Sequence, residues 1–232
     1  MRINSVDSGL ADEDLKTILS GEKIPHTIYL PKVDTVKHID WFAETLGHVM
    51  PKQHKDINLV IYAESAKSLI NLKEICARTL ELAEYHLFHL DAIVFGSDDY
   101  IASVGAVRSK DASEVLVARQ TVVMTAKAFG IEAIDVVYID YKDIDGLRSQ
   151  CLDGAKMGFT GKQCIHPGQI DTIHDCFTPS TEKINWARQL VAKFKEHSES
   201  GKGAFVFEGS MIDKPLLLQA ENIIRIADRV KS

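Results

Sequence analysis

Short apolar, β-branched runs alternate along the chain with longer stretches in which apolar positions recur every three or four residues. This is the pattern of repeated βα units feeding a parallel sheet. Six runs predict strands, at residues 2–5, 27–33, 58–64, 92–96, 135–140 and 161–166. Most lack polar alternation, as strands buried on both faces do. Each is followed by a segment of helical period. The clearest, over 66–84, sets Leu69, Leu72, Ile75, Cys76 and Leu80 on one face, and 112–129 repeats the arrangement with Val115, Ala118, Val122 and Phe129. These stripes read as core.

A further helix begins in the segment Pro179-Ser180-Thr181-Glu182-Lys183 and carries Ile184, Ala187, Leu190, Val191 and Phe194, until small and polar residues over 198–203 break the pattern. Beyond lie an apolar run at 204–207, a turn at Gly209-Ser210 and a last helix over 215–230 with Pro215 in its first turn. The break predicts a boundary, with residues 1–198 as a (β/α) barrel and 199–232 as a C-terminal segment. A closed barrel of this kind needs eight strands and commonly about 250 residues. The expected fold is therefore α/β: a TIM (β/α)8 barrel lacking its first two strands, with a C-terminal extension.

Composition narrows the partners. With 45% hydrophobic residues the 232-residue chain can bury a substantial core, which excludes disorder. A formal charge of -6 leaves no electrostatic footprint for a nucleic acid. No window is apolar for long enough to span a bilayer, and Met1-Arg2-Ile3-Asn4 is neither an h-region nor an Arg/Ser-rich transit segment. Cys76, Cys151, Cys164 and Cys176 fall at irregular intervals and read as reduced thiols.

In a parallel βα fold, functional groups collect where strands end. Two such ends carry acids, in Tyr62-Ala63-Glu64-Ser65-Ala66 and in Phe95-Gly96-Ser97-Asp98-Asp99-Tyr100. Neighbouring strands would bring Glu64 together with Asp98 or Asp99, and converging carboxylates repel unless a proton or cation sits between them. Magnesium suits such a pair, because it takes one or two carboxylates and leaves positions for water and substrate oxygens. The plainer alternative is that Glu64 caps the following helix and Asp98-Asp99 opens a turn. Arg2 and Lys32 are each open to two readings, a fork or point charge for an anionic substrate, or a solvated cation. The glycine-dense segment 158–168 ends in His166-Pro167-Gly168, and free backbone N–H groups there could hold a carbonyl or carboxylate. It lacks the spacing of a nucleotide-binding P-loop.

Taken in order, Arg2-Ile3-Asn4-Ser5, Leu30-Pro31-Lys32-Val33, Ala63-Glu64-Ser65-Ala66, Phe95-Gly96-Ser97-Asp98-Asp99-Tyr100, the segment 158–167, and Gly209-Ser210-Met211-Ile212-Asp213-Lys214-Pro215 resemble one family. It is the citrate lyase beta-like branch of the magnesium-dependent aldolase and lyase superfamily, and the resemblance covers nearly the whole chain. It implies a metal site at Glu64 and Asp99, with Asp98 standing where the family carries a longer acid. It implies that Arg2 faces the substrate and that Ile165 and His166 lie against the bound acyl group. Asp213 matches the family's catalytic aspartate, on a segment that reaches a neighbouring subunit's active site in a homotrimer. Read without the resemblance, Asp213 is an acid favoured by the dipole of the last helix.

The implied activity is magnesium-dependent cleavage of a short 3-hydroxy-acyl-CoA, such as citramalyl-CoA, to acetyl-CoA and a keto acid, and the implied location is the mitochondrial matrix. Malyl-CoA, smaller by one methyl group, is an alternative substrate in a lyase or malate synthase-like reaction, since a pocket gains only about 1–3 kcal/mol from such a difference. A second alternative is an inactive paralogue that keeps the fold as a binding or structural protein.

Overall fold

The apolar runs become strands and the periodic stretches become helices in a computed structural model that describes residues 1–50, 57–85, 88–199 and 205–230. The chain divides into two compact units, Met1–Gln169 and Ile170–Ser232. In the first unit α1 (Ala11–Leu19) precedes β1 (Thr27–Leu30), α2 (Val36–Val49), β2 (Ile57–Ala63), α3 (Ala66–Ala83), β3 (Phe88–Phe95), α4 (Ser97–Val104), α5 (Leu116–Ala128), β4 (Glu132–Asp135), α6 (Ile144–Met157) and β5 (Gly161–Lys162). The strands form one sheet in the order β1-β2-β3-β4-β5, every pair parallel. Each strand lies beside its predecessor, which is the winding of a β/α barrel. A doubly wound sheet would reverse its order at a switch point.

Alternation along the strands gives the sheet two faces. Ile28, Leu30, Leu59, Ile61, Ile93 and Phe95 are buried, and α3 and α5 pack on the sheet. On the other face Val60, Ala92 and Val94 cluster with the half-buried Tyr29, Tyr62 and Ile134. Both faces being apolar explains why these strands read as near-continuous hydrophobic runs.

Several boundaries differ from the sequence reading. The strand expected at 2–5 is a single parallel bridge from Arg2 to Tyr29, supported by Ile3 N–H donating to Tyr29 O at 3.2 Å. β3 begins four residues before Ala92, because His89 and Asp91 on its outward side disguise the strand as a loop. β4 ends at Asp135, where the expected strand begins. Its neighbour β5 offers only Gly161 and Lys162 for pairing, so Val136 and Tyr138 are buried without joining the ladder.

α3 starts where Ser65 caps it, the Ser65 side chain accepting from Ser68 N and Ser68 closing a reciprocal capping box. Its buried stripe is Ser68, Leu72, Ile75, Cys76 and Thr79. Leu80 is 37% exposed, which corrects its expected place in the core. Thr79 takes the inward position instead, its hydroxyl donating to Ile75 O at 2.6 Å and so entering the core with its polar atom paired.

The second unit holds α7 (Ile170–Phe177), α8 (Thr181–Glu199), an antiparallel hairpin of β6 (Phe205–Phe207) and β7 (Ser210–Ile212), and α9 (Lys214–Val230). Glu208 and Gly209 both have positive φ, at 47° and 79°, as a tight hairpin turn requires. Ala187 and Leu190 of α8 form a core with Phe207, Ile212 and Ala220. The division between units therefore falls after Gln169, ahead of α8, whereas the sequence reading drew it at 198. Most of the polar break behind that reading, and Ala204 after it, lie outside the described residues.

Candidate active site

Glu64 follows β2 directly and is 5% exposed. It does not cap α3, since Ser65 does. Its Oε2 accepts from the Lys32 backbone N–H at 2.7 Å, and its Oε1 faces the Arg2 guanidinium at 3.8 Å, beyond hydrogen-bond distance. Gly96 lies against the same carboxylate: a Cβ there would fall 2.4 Å from Glu64 Cγ and 2.6 Å from Oε1. The Gly96 N–H donates to Ala63 O at 3.0 Å, which ties the end of β3 to the end of β2.

Beyond Gly96, Asp98 and Asp99 sit in the first turn of α4, where the helix dipole favours acids. Their side chains have different partners. Asp98 pairs with Arg108, which also reaches Ser97 Oγ at 3.1 Å. Asp99 Oδ1 lies 3.2 Å from Lys32 Nζ. Burial raises the Glu64 pKa above its ordinary value; the Lys32 N–H and the Arg2 guanidinium oppose this, while the negative charge of Asp99 adds to it. Arg2 stands with its guanidinium 4.9 Å from the centre of the Tyr62 ring, a cation–π contact that orients it toward Glu64.

Glu64 and Asp99 thus share one neighbourhood at the C-terminal end of the sheet, with Arg2 and Lys32 around them. Among the described residues no group of three or more His, Cys, Asp and Glu side chains converges as a metal cage. Two carboxylates fit a hard, oxygen-ligated cation that keeps most of its positions for water or substrate oxygens, as magnesium does. A dication bound beside Glu64 would act against the effect of burial on its carboxylate.

Ile165 and His166 lie in the loop after β5. Ile165 is 51% exposed, and the His166 ring stacks on Tyr141 with centroids 4.6 Å apart. Much of this glycine-rich loop engages itself. Ile165 N–H donates to the buried Gln169 Oε1 at 3.1 Å, Gly168 N–H donates to His166 Nδ1 at 3.1 Å, and Gln163 N–H donates to Asp135 O at 3.1 Å. Those donors are not available to a ligand, contrary to the reading of the segment as a nest of free N–H groups. Asp213 belongs to the second unit, where its Oδ1 accepts from Leu216 N at 3.0 Å and caps α9.

Three features near these strand ends escape a reading by motif. Gln163 donates its side-chain N–H to Phe95 O at 2.9 Å, joining the β5 loop to the turn that bears Asp99. Arg108 holds Asp98, and only its spacing of ten residues hints at the pair. Behind the sheet ends, Arg119 makes two hydrogen bonds to Asp135, at 2.9 and 2.6 Å, and Lys162 Nζ donates to Gln150 Oε1 at 2.6 Å while lying 3.7 Å from Asp135. Arg119 and Asp135 are 1% and 0% exposed, and burial pushes the Lys162 pKa down to about 8, partly offset by the charge of Asp135.

Comparison with known proteins places the chain in a family. The model of the HpcH/HpaI aldolase/citrate lyase family matches residues 1–167. The mitochondrial citramalyl-CoA lyase of Homo sapiens is 49% identical over 233 residues, spanning all of this chain and 68% of that protein. A citrate lyase subunit beta-like protein of Mycobacterium tuberculosis is 34% identical, covering 100% of this chain and 77% of its own. Among solved structures, CitE from Mycobacterium tuberculosis in complex with magnesium, acetoacetate and coenzyme A superposes with a TM-score of 0.69 at 30% identity, covering 98% of this chain and 77% of that one. A citrate lyase from Burkholderia xenovorans LB400 shares the fold, with a TM-score of 0.79 at 18% identity over 99% of this chain and 72% of that one. A parallel sheet wound in barrel order, acids at two adjacent strand ends and a family match over most of the chain lead to one conclusion: this chain belongs to the HpcH/HpaI aldolase/citrate lyase family.

Proposed function

We propose that the chain is a magnesium-dependent carbon–carbon lyase that cleaves citramalyl-CoA to acetyl-CoA and pyruvate. The observation that carries this reading is the buried Glu64, with Asp99 and Arg2 beside it at the C-terminal strand ends, in a chain 49% identical along its length to a citramalyl-CoA lyase. Neighbours solved with magnesium and coenzyme A support the cofactor and the substrate class.

Glu64 and Asp99 are the residues that would hold the metal. When bound, magnesium would supply a Lewis acid for the substrate carboxylate and the adjacent hydroxyl, easing transfer of the hydroxyl proton to solvent water, from which Asp213 regains the proton it gives up. Arg2, half exposed and fixed over Tyr62, pairs with the substrate carboxylate and favours the anionic charge that grows as the bond breaks. Ile165 and His166 flank the acyl group. The C–C electron pair leaves on acetyl-CoA as its enolate, and Asp213, contributed by a neighbouring subunit of a homotrimer, delivers a proton to the methylene carbon. The mitochondrial matrix is the proposed location, after the relatives named as mitochondrial.

The test is the rate of acetyl-CoA release from citramalyl-CoA with and without magnesium, by the parent and by Glu64→Ala. Release that needs both magnesium and Glu64 supports the proposal. Equal release by Glu64→Ala overturns the assignment of the metal site.

A further inference from the structure

Lys32 has no part in the chemistry above, yet it touches both carboxylates. It follows Pro31 in the loop between β1 and α2 with φ at 54°, a left-handed conformation that a residue bearing a side chain keeps only where its surroundings hold it. Two contacts hold it. Its N–H donates to Glu64 Oε2 at 2.7 Å, and its ammonium lies 3.2 Å from Asp99 Oδ1. His38 Nδ1 lies beside the same loop, 3.1 Å from Lys32 O and 3.2 Å from Asp34 N, and its tautomer decides which of the two it bonds. The backbone of Lys32 is thereby fixed against Glu64, while its long side chain, 53% exposed, remains free to leave Asp99.

An ammonium on one oxygen of Asp99 and a divalent cation bound there compete for the same negative charge. Arg2 already offers positive charge to Glu64 at 3.8 Å, so Lys32 is the cation whose departure would restore Asp99 as a ligand. We propose that Lys32 is a positioning residue with two separable actions: its backbone orients Glu64, and its ammonium holds Asp99 as a resident cation that an incoming metal ion must displace. Lys32 therefore weakens the affinity of the site for metal while keeping the two acids together in its absence. The inference rests on the assignment of Glu64 and Asp99 as metal ligands.

The experiment is a titration of the full chain with Mn2+, followed by electron paramagnetic resonance, for the parent, Lys32→Met, Lys32→Arg and Glu64→Gln. Lys32→Met keeps the backbone N–H and the unbranched shape but removes the charge. An exposed ion pair at the upper end of its usual strength makes the expected gain in Mn2+ affinity roughly two- to fivefold. That gain shrinks as KCl is raised, because salt screens the pair in the parent. Lys32→Arg, still cationic, stays near the parent value. Equal or weaker binding by Lys32→Met, or equal tightening by Lys32→Arg, overturns the inference while leaving the metal site standing. Parent binding that is absent, or indifferent to Glu64→Gln, overturns the metal assignment and this inference with it.

Discussion

Gly96→Ala tests whether the position of the Glu64 carboxylate is what the strand ends exist to fix. The backbone at Gly96, φ -85° and ψ 86°, has negative φ, so the substitution carries no left-handed strain. Its whole effect is steric. The new methyl would lie 2.4 Å from Glu64 Cγ, 2.6 Å from Oε1 and 2.9 Å from Cδ, against about 3.5 Å for relaxed carbon contact. Glu64 must therefore shift by about 1 Å, enough to disturb its 2.7 Å hydrogen bond from the Lys32 N–H. A misplacement of that size costs on the order of a hundredfold in turnover, or about 2.7 kcal/mol of barrier. Overpacking should cost about 1–3 kcal/mol of stability. Steady-state cleavage of citramalyl-CoA, Mn2+ titration and urea denaturation of the purified variant measure the three effects. Turnover and Mn2+ affinity both within about twofold of the parent would refute the claim that this glycine exists for Glu64.

Other expectations concern charge. Asp135→Asn leaves the buried Arg119 and Lys162 without their carboxylate and should cost about 3–5 kcal/mol in urea denaturation; a loss below about 1 kcal/mol would mean that the cluster is not a structural unit. Lys162, with its pKa pushed down to about 8 from 10.5, leaves the unfolded chain holding more protons across that interval, so its contribution to stability rises with pH there, by at most about 3–4 kcal/mol. Lys162→Met should remove that rise, and identical pH profiles for variant and parent would contradict it. Asp213→Asn should keep Mn2+ binding and abolish acetyl-CoA formation, whereas turnover near the parent's would remove Asp213 from proton transfer.

The winding of the fold was legible because both faces of the central strands are apolar: 27–30 and 57–63 stand out as hydrophobic runs, and Ser65-Ala66 announces α3. The edges of the sheet were not. Asp135 to Ile139 has the composition of a strand, but ladder length is set by partners, and β5 supplies two residues. The carboxylate pair was visible as two acids at strand ends, while its surroundings were not. Asp98 and Asp99 are adjacent and alike in residue type, so spacing alone left open which of them meets Glu64; their different partners, Arg108 on one and Lys32 on the other, are seen only in the structure. The buried Arg119 gave no signal either, since a charged residue inside a helical stripe reads as solvent-facing until Asp135, sixteen residues on, is brought against it.

The most direct test of the account is the identity of the products when the purified chain consumes citramalyl-CoA with magnesium in D2O. The account predicts pyruvate and acetyl-CoA with its thioester intact, the methyl group carrying deuterium acquired as the enolate is quenched. Free coenzyme A and citramalate would contradict it, because the enzyme would then be breaking the thioester and not the carbon–carbon bond.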